Sequence, residues 1–238
     1  MIRPNVRASF GRTEAEILTA LAGPDGDRRL REEGVDALLD DALLLRRLLE
    51  QEGLSGVPAR LVFYLMVRHA LLEREVVDRE MADYTAALLL EFGRMDRAYR
   101  ASEDDPERFF YLTDILGELE RARGDREFEL RVHLGNFALW MAGVFPDHIT
   151  HRVQRKGGPP LSYYDTLGAS GFRAAAQTDV ALRHGLGRLF LNVADQFHDV
   201  RGALNSLSDA LFFPRAKNPT DRVLRQVRQD FLRAMGDE

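Results

Sequence analysis

The chain has 238 residues, of which 45% are hydrophobic and 30% are charged, and its 33 basic and 38 acidic residues leave a formal net charge of −5. It contains no cysteine, which excludes disulfides, thiolate nucleophiles, zinc–thiolate sites and iron–sulfur clusters made by this chain. The negative charge favours solubility and argues against a general electrostatic attraction to nucleic acid or to an anionic membrane.

The composition and the apolar runs also indicate where the protein works. Residues 1–10, MIRPNVRASF, lack the apolar run of a signal peptide. The longest apolar stretch, residues 61–72, is interrupted by Arg68 and His69, whereas a membrane span needs ~18 uncharged apolar residues. The 31 arginines against two lysines fit a GC-rich genome. We therefore expect a bacterial, cytoplasmic protein with no membrane contact.

The apolar pattern predicts the fold class. The 35 leucines outnumber the 19 valines and isoleucines, and no segment alternates strictly between apolar and polar residues as a half-buried strand does. Apolar positions instead recur every three or four residues along the chain. This pattern predicts an all-α protein of about nine or ten helices, in an orthogonal bundle or an irregular helical array without significant sheet. We expect one domain over residues 1–238, with a candidate subdomain break at residues 156–161.

Start and stop signals place the individual helices. In chain order, the predicted helices are one capped by Thr13 and Glu16 and ending near Gly23; about 27–52, with a candidate break at Gly34; Pro58 to Val76; Asp78 to Tyr99; Pro106 to Gly124; Asp125 to Phe145; Pro146 to Lys156; one capped by Ser162 and Asp165; a short one from Thr178; Gly187 to Phe213; and one from Asn218. The helices from Pro58, Asp125 and Gly187 have the most continuous apolar positions and should form the core. The side chains expected to be buried there are Leu65, Leu134, Phe137, Trp140, Val193 and Leu204.

The segment from Phe145 to Gly168 is the strongest candidate for a binding site. Its polar residues are His148, His151, Arg152, Arg155, Lys156, Ser162, Tyr163 and Tyr164. Cations at a helix end, the amides of a glycine pair and the start of the next helix are together suited to a phosphate or a carboxylate. The alternative is structural, since cations complement the dipole at a helix C-terminus and GGPP is a stop signal.

A second candidate lies in the helix that begins near Asp125. Arg126 and His133 are seven residues apart, about two turns, so they project from the same side of that helix. An arginine followed by a histidine at this distance resembles the R-x4-6-H element of the HEPN family of helical ribonucleases. Over these eight residues, the resemblance implies acid–base chemistry by His133 and phosphate contact by Arg126. Glu127 departs from the polar neighbour typical of that element.

A metal site is a third alternative. Acid and histidine are paired at helical spacing in three places: His69 with Glu73, Glu129 with His133, and Asp195 with His198. Carboxylate-bridged di-iron bundles use such inward-facing pairs, although they also require two Glu-x-x-His motifs, which this sequence lacks. A metal-dependent helical oxidoreductase is the function that these pairs would indicate.

The sequence as a whole favours a non-catalytic function. It contains neither a nucleotide-binding glycine motif nor a GxSxG nucleophile motif. We expect an interaction or ligand-binding module without cofactor that is homo-oligomeric or binds a protein partner. Residues 151–238 carry 13 basic and 9 acidic groups, so the alternative is a nucleic-acid-binding or HEPN-like ribonuclease protein that uses this basic third to contact a phosphate-bearing ligand or nucleic acid. Arg222, Arg225 and Arg233 of the last predicted helix belong to this third, with Arg215 and Lys217 upstream.

Overall fold

The computed structural model describes residues 1–50, 56–94 and 96–212, with side chains described as far as residue 208. These residues are 73% helical, form thirteen α-helices and include no strand. The prediction of an all-α fold is therefore confirmed, although short helices make the number larger than about nine or ten. None of the helices in the described ranges has both the length and the apolar composition that crossing a membrane requires.

The chain divides into two compact units at the boundary after Arg94. The first unit comprises residues 2–94, and the described residues of the second are 96–212. Residues 156–161, the candidate subdomain break, lie inside the second unit between two of its helices. The predicted single domain with a break at that position stays a prediction.

The first unit contains six helices and a short 3₁₀ helix at Arg7–Ser9. The helices are α1 (Arg12–Ala22), α2 (Gly26–Glu32), α3 (Val35–Leu39), α4 (Ala42–Glu50), α5 (Ala59–Leu72) and α6 (Arg79–Phe92). Helix α5 packs along α6, and α1 contacts α2, α3 and α4. Both faces of α5 and α6 are buried over most of their length, with ten buried residues in each helix.

The helix starts of the first unit follow local hydrogen bonds. Asp78 caps α6 as predicted, since its carboxylate accepts the amides of Glu80 and Met81. The predicted cap of Thr13 with Glu16 is wrong: the residue before α1 is Gly11, two residues earlier, and the Glu14 carboxylate accepts the Gly11 amide at 2.8 Å. Glu14 is buried and also pairs with Arg60 of α5. The position of the acidic residues in the sequence does not show that Glu14, and not Glu16, has the capping role.

The polar residues inside α5 are satisfied by neighbouring groups. Arg68 is buried, and its guanidinium binds the Asp40 carboxylate at 2.6 Å and the Val77 carbonyl at 2.8 Å. The Nε2 atom of His69 lies 3.0 Å from the Leu39 carbonyl. Both contacts tie α5 to the end of α3, so Arg68 and His69 are explained by the architecture of this unit.

The second unit is built around α8, the longest helix described. The helices that the described residues of the unit form are α7 (Leu112–Leu119), α8 (Gly124–Val144), α9 (Pro146–Lys156), α10 (Leu161–Ala176), α11 (Asp179–Arg183), α12 (Gly187–Asp195) and α13 (Phe197–Phe212), with a short 3₁₀ helix at Arg97–Tyr99. Helix α8 contacts α7, α9, α10 and α13, and α10 also packs on α12. The six side chains predicted for the core, from Leu65 to Leu204, are all buried.

Two predicted helices of this part differ from the structure, and a third is not tested by it. The helix expected from Pro106 is wrong, because Asp105 is buried against Arg126 and the chain stays irregular until α7 begins at Leu112. The helix expected from Gly187 is divided at Gln196 into α12 and α13, although its apolar period continues across the break. The helix expected from Asn218, with its three arginines, lies outside the described residues.

Candidate functional site

Helix α9 carries the basic residues that the sequence singled out. It begins at Pro146 and ends at Gly157, whose φ of 61° is left-handed and suits glycine. The Gly157 and Gly158 amides donate to the Val153 and Arg152 carbonyls, each at 3.2 Å. The expectation that this glycine pair offers its amides to an anion is therefore wrong, because both amides close the helix end.

We call Arg152, Arg155 and Lys156 the basic row. Spacings of three and four residues place them on one side of the last turns of α9. Arg155 and Lys156 are exposed and Arg152 is half-buried. None of the three forms an ion pair with any acidic side chain that the structure describes. His148 and His151, half-buried, precede the row on the same helix.

The first acidic side chain that follows the basic row in the sequence, Asp165, is engaged elsewhere. Asp165, on α10, accepts the Arg201 Nε hydrogen at 2.7 Å, and its second oxygen lies 3.4 Å from Nδ1 of His198. Both of these partners lie on α13. Asp165 is thus held toward α13 and forms no ion pair with the basic row.

Two adjacent exposed aromatic residues, of which Tyr111 contacts the basic row, precede α7, and we call Phe110 and Tyr111 the aromatic pair. The Arg152 guanidinium carbon lies 5.3 Å from the centroid of the Tyr111 ring, within the range of a cation–π contact. Phe110 packs on Tyr99 with ring centroids 5.0 Å apart. The sequence analysis did not predict this pair. The feature that could have indicated it is the run of three aromatic residues at 109–111, shortly before Asp114 in the first turn of α7.

A capping interaction holds the aromatic pair in place. The Asp114 carboxylate accepts the amides of Phe110 and Tyr111 at 3.1 and 2.9 Å. The backbone of both residues is therefore fixed at the first turn of α7, whereas their rings remain about half exposed.

The start of α10 contributes less than expected. Pro160 is the residue before the helix, so the predicted cap by Ser162 is wrong: Ser162 lies in the first turn and its carbonyl accepts the Thr166 hydroxyl. Tyr164 is buried, and burial raises the pKa of its hydroxyl while the nearby Arg152 charge opposes that effect. Tyr163 packs edge-on against Tyr164, with ring centroids 6.2 Å apart. Within the second unit, no hydrogen bond joins Ser162 to the basic row.

Arg126 and His133 lie in α8 but in different environments. Arg126 binds the buried Asp105 carboxylate through two nitrogens, at 2.7 and 3.3 Å. Burial would raise the pKa of Asp105, but the hydrogen bonds and charge of Arg126 lower it overall. His133 is 2% exposed and packs between Phe109 and Phe137. Burial lowers the pKa of His133 to about 3, so the ring is neutral near pH 7.

The three acid–histidine pairs occupy separate sites. His69 contacts the Leu39 carbonyl while Glu73 is exposed, and His133 is buried while Glu129 lies near Arg126. Asp195 binds Arg173 at 2.7 Å, whereas Nδ1 of His198 accepts a hydrogen from Arg201 at 2.9 Å. Across the described ranges, no group of three or more carboxylate or histidine side chains is suited to hold a metal ion.

The basic row and the aromatic pair are the groups that the second unit brings together. Exposed guanidinium and ammonium groups can bind phosphate or carboxylate oxygens, and exposed rings can stack against a planar group. Comparison of the chain with protein-family models, with curated proteins and with solved structures finds no match in any of the three.

Proposed function

We propose that the second unit is a non-catalytic binding module that recognises an anionic ligand or partner through the basic row. The observation that carries the proposal is that Arg152, Arg155 and Lys156 share one side of a helix end without an acidic partner among the described residues. Several other arginines of the unit are paired, among them Arg126 with Asp105 and Arg201 with Asp165, each at 2.7 Å.

The geometry suits oxyanions. A guanidinium presents a planar fork of donors that matches the oxygens of phosphate or carboxylate, and an ammonium adds a compact charge. Because the three groups are neighbours on one helix side, a single ligand can contact more than one of them. The helix dipole also favours cations at the C-terminus of α9, typically by roughly 0.3–1 kcal/mol for each exposed charge. The dipole contribution and ligand binding therefore have to be separated by experiment.

The proposal assigns no catalytic step to Arg126 or His133. Arg126 is held by a buried carboxylate, and His133 is enclosed by aromatic rings and neutral near pH 7. These contacts support structural roles for both residues. Self-association, a bacterial source and a cytoplasmic location stay predictions from the sequence.

The test replaces the basic row by alanine, as R152A/R155A/K156A. In the wild type, inorganic polyphosphate should raise the melting temperature, because a ligand that binds only the folded state stabilises it. The triple variant should lose that shift yet unfold within ~1 kcal/mol of the wild type without ligand, since exposed charges contribute little to folding.

The matched control is R12A/R28A/R46A, which removes the same charge from exposed helical ion pairs of the first unit. It should retain the shift of the wild type. An equal loss of the shift in both triple variants would show that net charge alone attracts the polyanion. The proposal would be overturned if no anion stabilised the wild type, or if the basic-row variant were unfolded without ligand. In either case the three residues would have only a structural role at the end of α9.

A further inference from the structure

Building on the proposed function, we infer that the anionic ligand is a single-stranded nucleic acid, whose bases stack on the aromatic pair while its phosphates bind the basic row. This assignment comes from the juxtaposition of the two groups, which lie about 40 residues apart in the sequence and are joined in the structure by Arg152 and Tyr111.

The aromatic pair is exposed to an unusual degree for this molecule. Phe110 and Tyr111 each retain 52% of their accessible surface, and they are the only large aromatic side chains of the described chain with such exposure. Two adjacent exposed rings forgo burial that would stabilise the fold, and such surfaces commonly mark interaction sites. The Asp114 carboxylate fixes their backbone amides, so the rings are presented from a rigid helix start.

A nucleotide supplies both groups that this surface can bind. Each unit of a single strand carries one planar base and one phosphate, and exposed aromatic rings next to cations are the common elements of single-strand binding surfaces. The Arg152 guanidinium lies against the Tyr111 ring, and Arg155 and Lys156 extend the positive charge along α9. A base stacked on the aromatic pair would therefore place its adjoining phosphates near the basic row.

The net charge of the whole chain helps to distinguish between the classes of anionic partner. With a net charge of −5, the protein does not attract nucleic acid by its overall field, so binding depends on these local groups. A duplex hides the faces of its bases and offers the aromatic pair nothing to stack on. An acidic polypeptide would use the basic row but has no regular series of planar groups.

The experiment measures binding of the full chain to fluorescein-labelled dT20 by anisotropy. The competitors are an abasic strand of equal phosphate number, a dT20·dA20 duplex, inorganic polyphosphate and poly-glutamate. The test variants are F110L/Y111L, which keeps apolar bulk but removes the rings, and R152A/R155A/K156A. Tyr111→Phe keeps the ring and should bind as the wild type does. L182A/L191A replaces two exposed leucines elsewhere in the second unit and is the matched control.

We expect dT20 to bind at least tenfold more tightly than the abasic strand and the duplex, because stacking on aromatic side chains contributes strongly for each base. F110L/Y111L should reduce dT20 binding to the level of the abasic strand, and the control should not. The logarithm of the affinity should fall with the logarithm of salt concentration with a slope near −2, as expected for about three phosphate contacts on a single strand. The basic-row variant should lose most of that slope.

The other outcomes separate this inference from the proposed function. Equal binding of dT20, the abasic strand and polyphosphate, unchanged in F110L/Y111L, would overturn the nucleic-acid assignment and leave anion binding intact. Preferential binding of poly-glutamate would overturn it in favour of an acidic polypeptide. Failure of every anion to bind would overturn both proposals.

Discussion

At the scale of single residues, His133 shows how burial decides chemistry. The ring is enclosed by Phe109 and Phe137, and the charged groups acting on it are Arg97, Asp105 and Arg126. Burial is the largest of these influences, and the Arg97 charge acts in the same direction. The pattern of an arginine and a histidine two turns apart places both residues on one side of α8, but it carries no information about the aromatic rings that cover the histidine.

The lowered pKa of His133 predicts a loss of stability in acid. The folded-state pKa is about 3, below the value of about 6.5 in an unfolded chain, so the unfolded state binds a proton first as the pH falls. Stability should therefore decrease from about pH 6.5 toward pH 3, with a limiting slope of roughly 1.4 kcal/mol per pH unit from this group. Urea unfolding between pH 7 and pH 4 measures that slope.

His133→Leu should flatten the decline in stability, because no imidazole remains to be protonated. Leu139→Ala, which creates a cavity in the same helix without changing a titratable group, should lower stability at every pH and keep the slope of the wild type. An unchanged slope in His133→Leu would assign the acid sensitivity to other groups, such as the carboxylates that arginines bind in the fold.

At the scale of helices, the contact between α8 and α10 depends on glycine. A Cβ atom added to Gly171 would lie 2.8 Å from the Arg131 carbonyl oxygen and 3.1 Å from the Gly135 nitrogen, and both of these are backbone atoms of α8. The two helices therefore approach more closely than any side chain at this position allows. Apolar spacing predicted both helices, but it could not predict how closely they pack.

Gly171→Ala should consequently destabilise the protein by about 1–3 kcal/mol or more, since overpacking a rigid contact forces the backbones apart. Gly117→Ala is the matched control: it lies within α7, where an added Cβ meets nothing within 4 Å. That change should stabilise by roughly 0.5–1 kcal/mol, because alanine favours the helix more than glycine does. Urea unfolding measures both effects. A shift in stability of the same sign in Gly171→Ala and Gly117→Ala would contradict the close contact between α8 and α10.

The helix ends show which sequence signals were sufficient. Asp78, Thr178 and Gly157 have the expected capping or terminating roles, because each acts through its own neighbouring backbone. Asp105 before Pro106 gave an equally good start signal and begins no helix, because its carboxylate binds Arg126 of α8. Gln196 divides α12 from α13 without interrupting the apolar period. The aromatic pair was likewise not predicted, since its relation to the basic row exists only in three dimensions.

At the scale of the whole molecule, each unit has its own buried side chains. Leu65 is inaccessible within the first unit, and Leu134 is buried in α8 of the second. The continuous helical periodicity of the sequence gave no indication of a boundary after Arg94, because both units have the same composition of amphipathic helices. The basic row and its neighbouring aromatic residues both belong to the second unit.

The division predicts separate responses to core damage. Leu65→Ala should accelerate hydrogen exchange in α5 and α6 more than in α8 and α10, and Leu134→Ala should have the opposite effect, each costing about 2–5 kcal/mol locally. Exchange followed by mass spectrometry distinguishes the helices. Equal acceleration in both units by either variant would instead indicate one cooperative domain, as the sequence predicted.

The ion pair between Asp105 and Arg126 has a consequence for how this surface can evolve. The irregular segment before α7 carries the aromatic pair, and the Arg126 guanidinium anchors it to α8 through the buried carboxylate. Loss of Arg126 would leave the buried Asp105 carboxylate without its ion-pair partner, so Arg126 cannot change alone while Asp105 is kept. Related sequences should exchange Asp105 and Arg126 together or keep both, and lineages that lose the pair should also lose the constraint that keeps aromatic residues at positions 110 and 111.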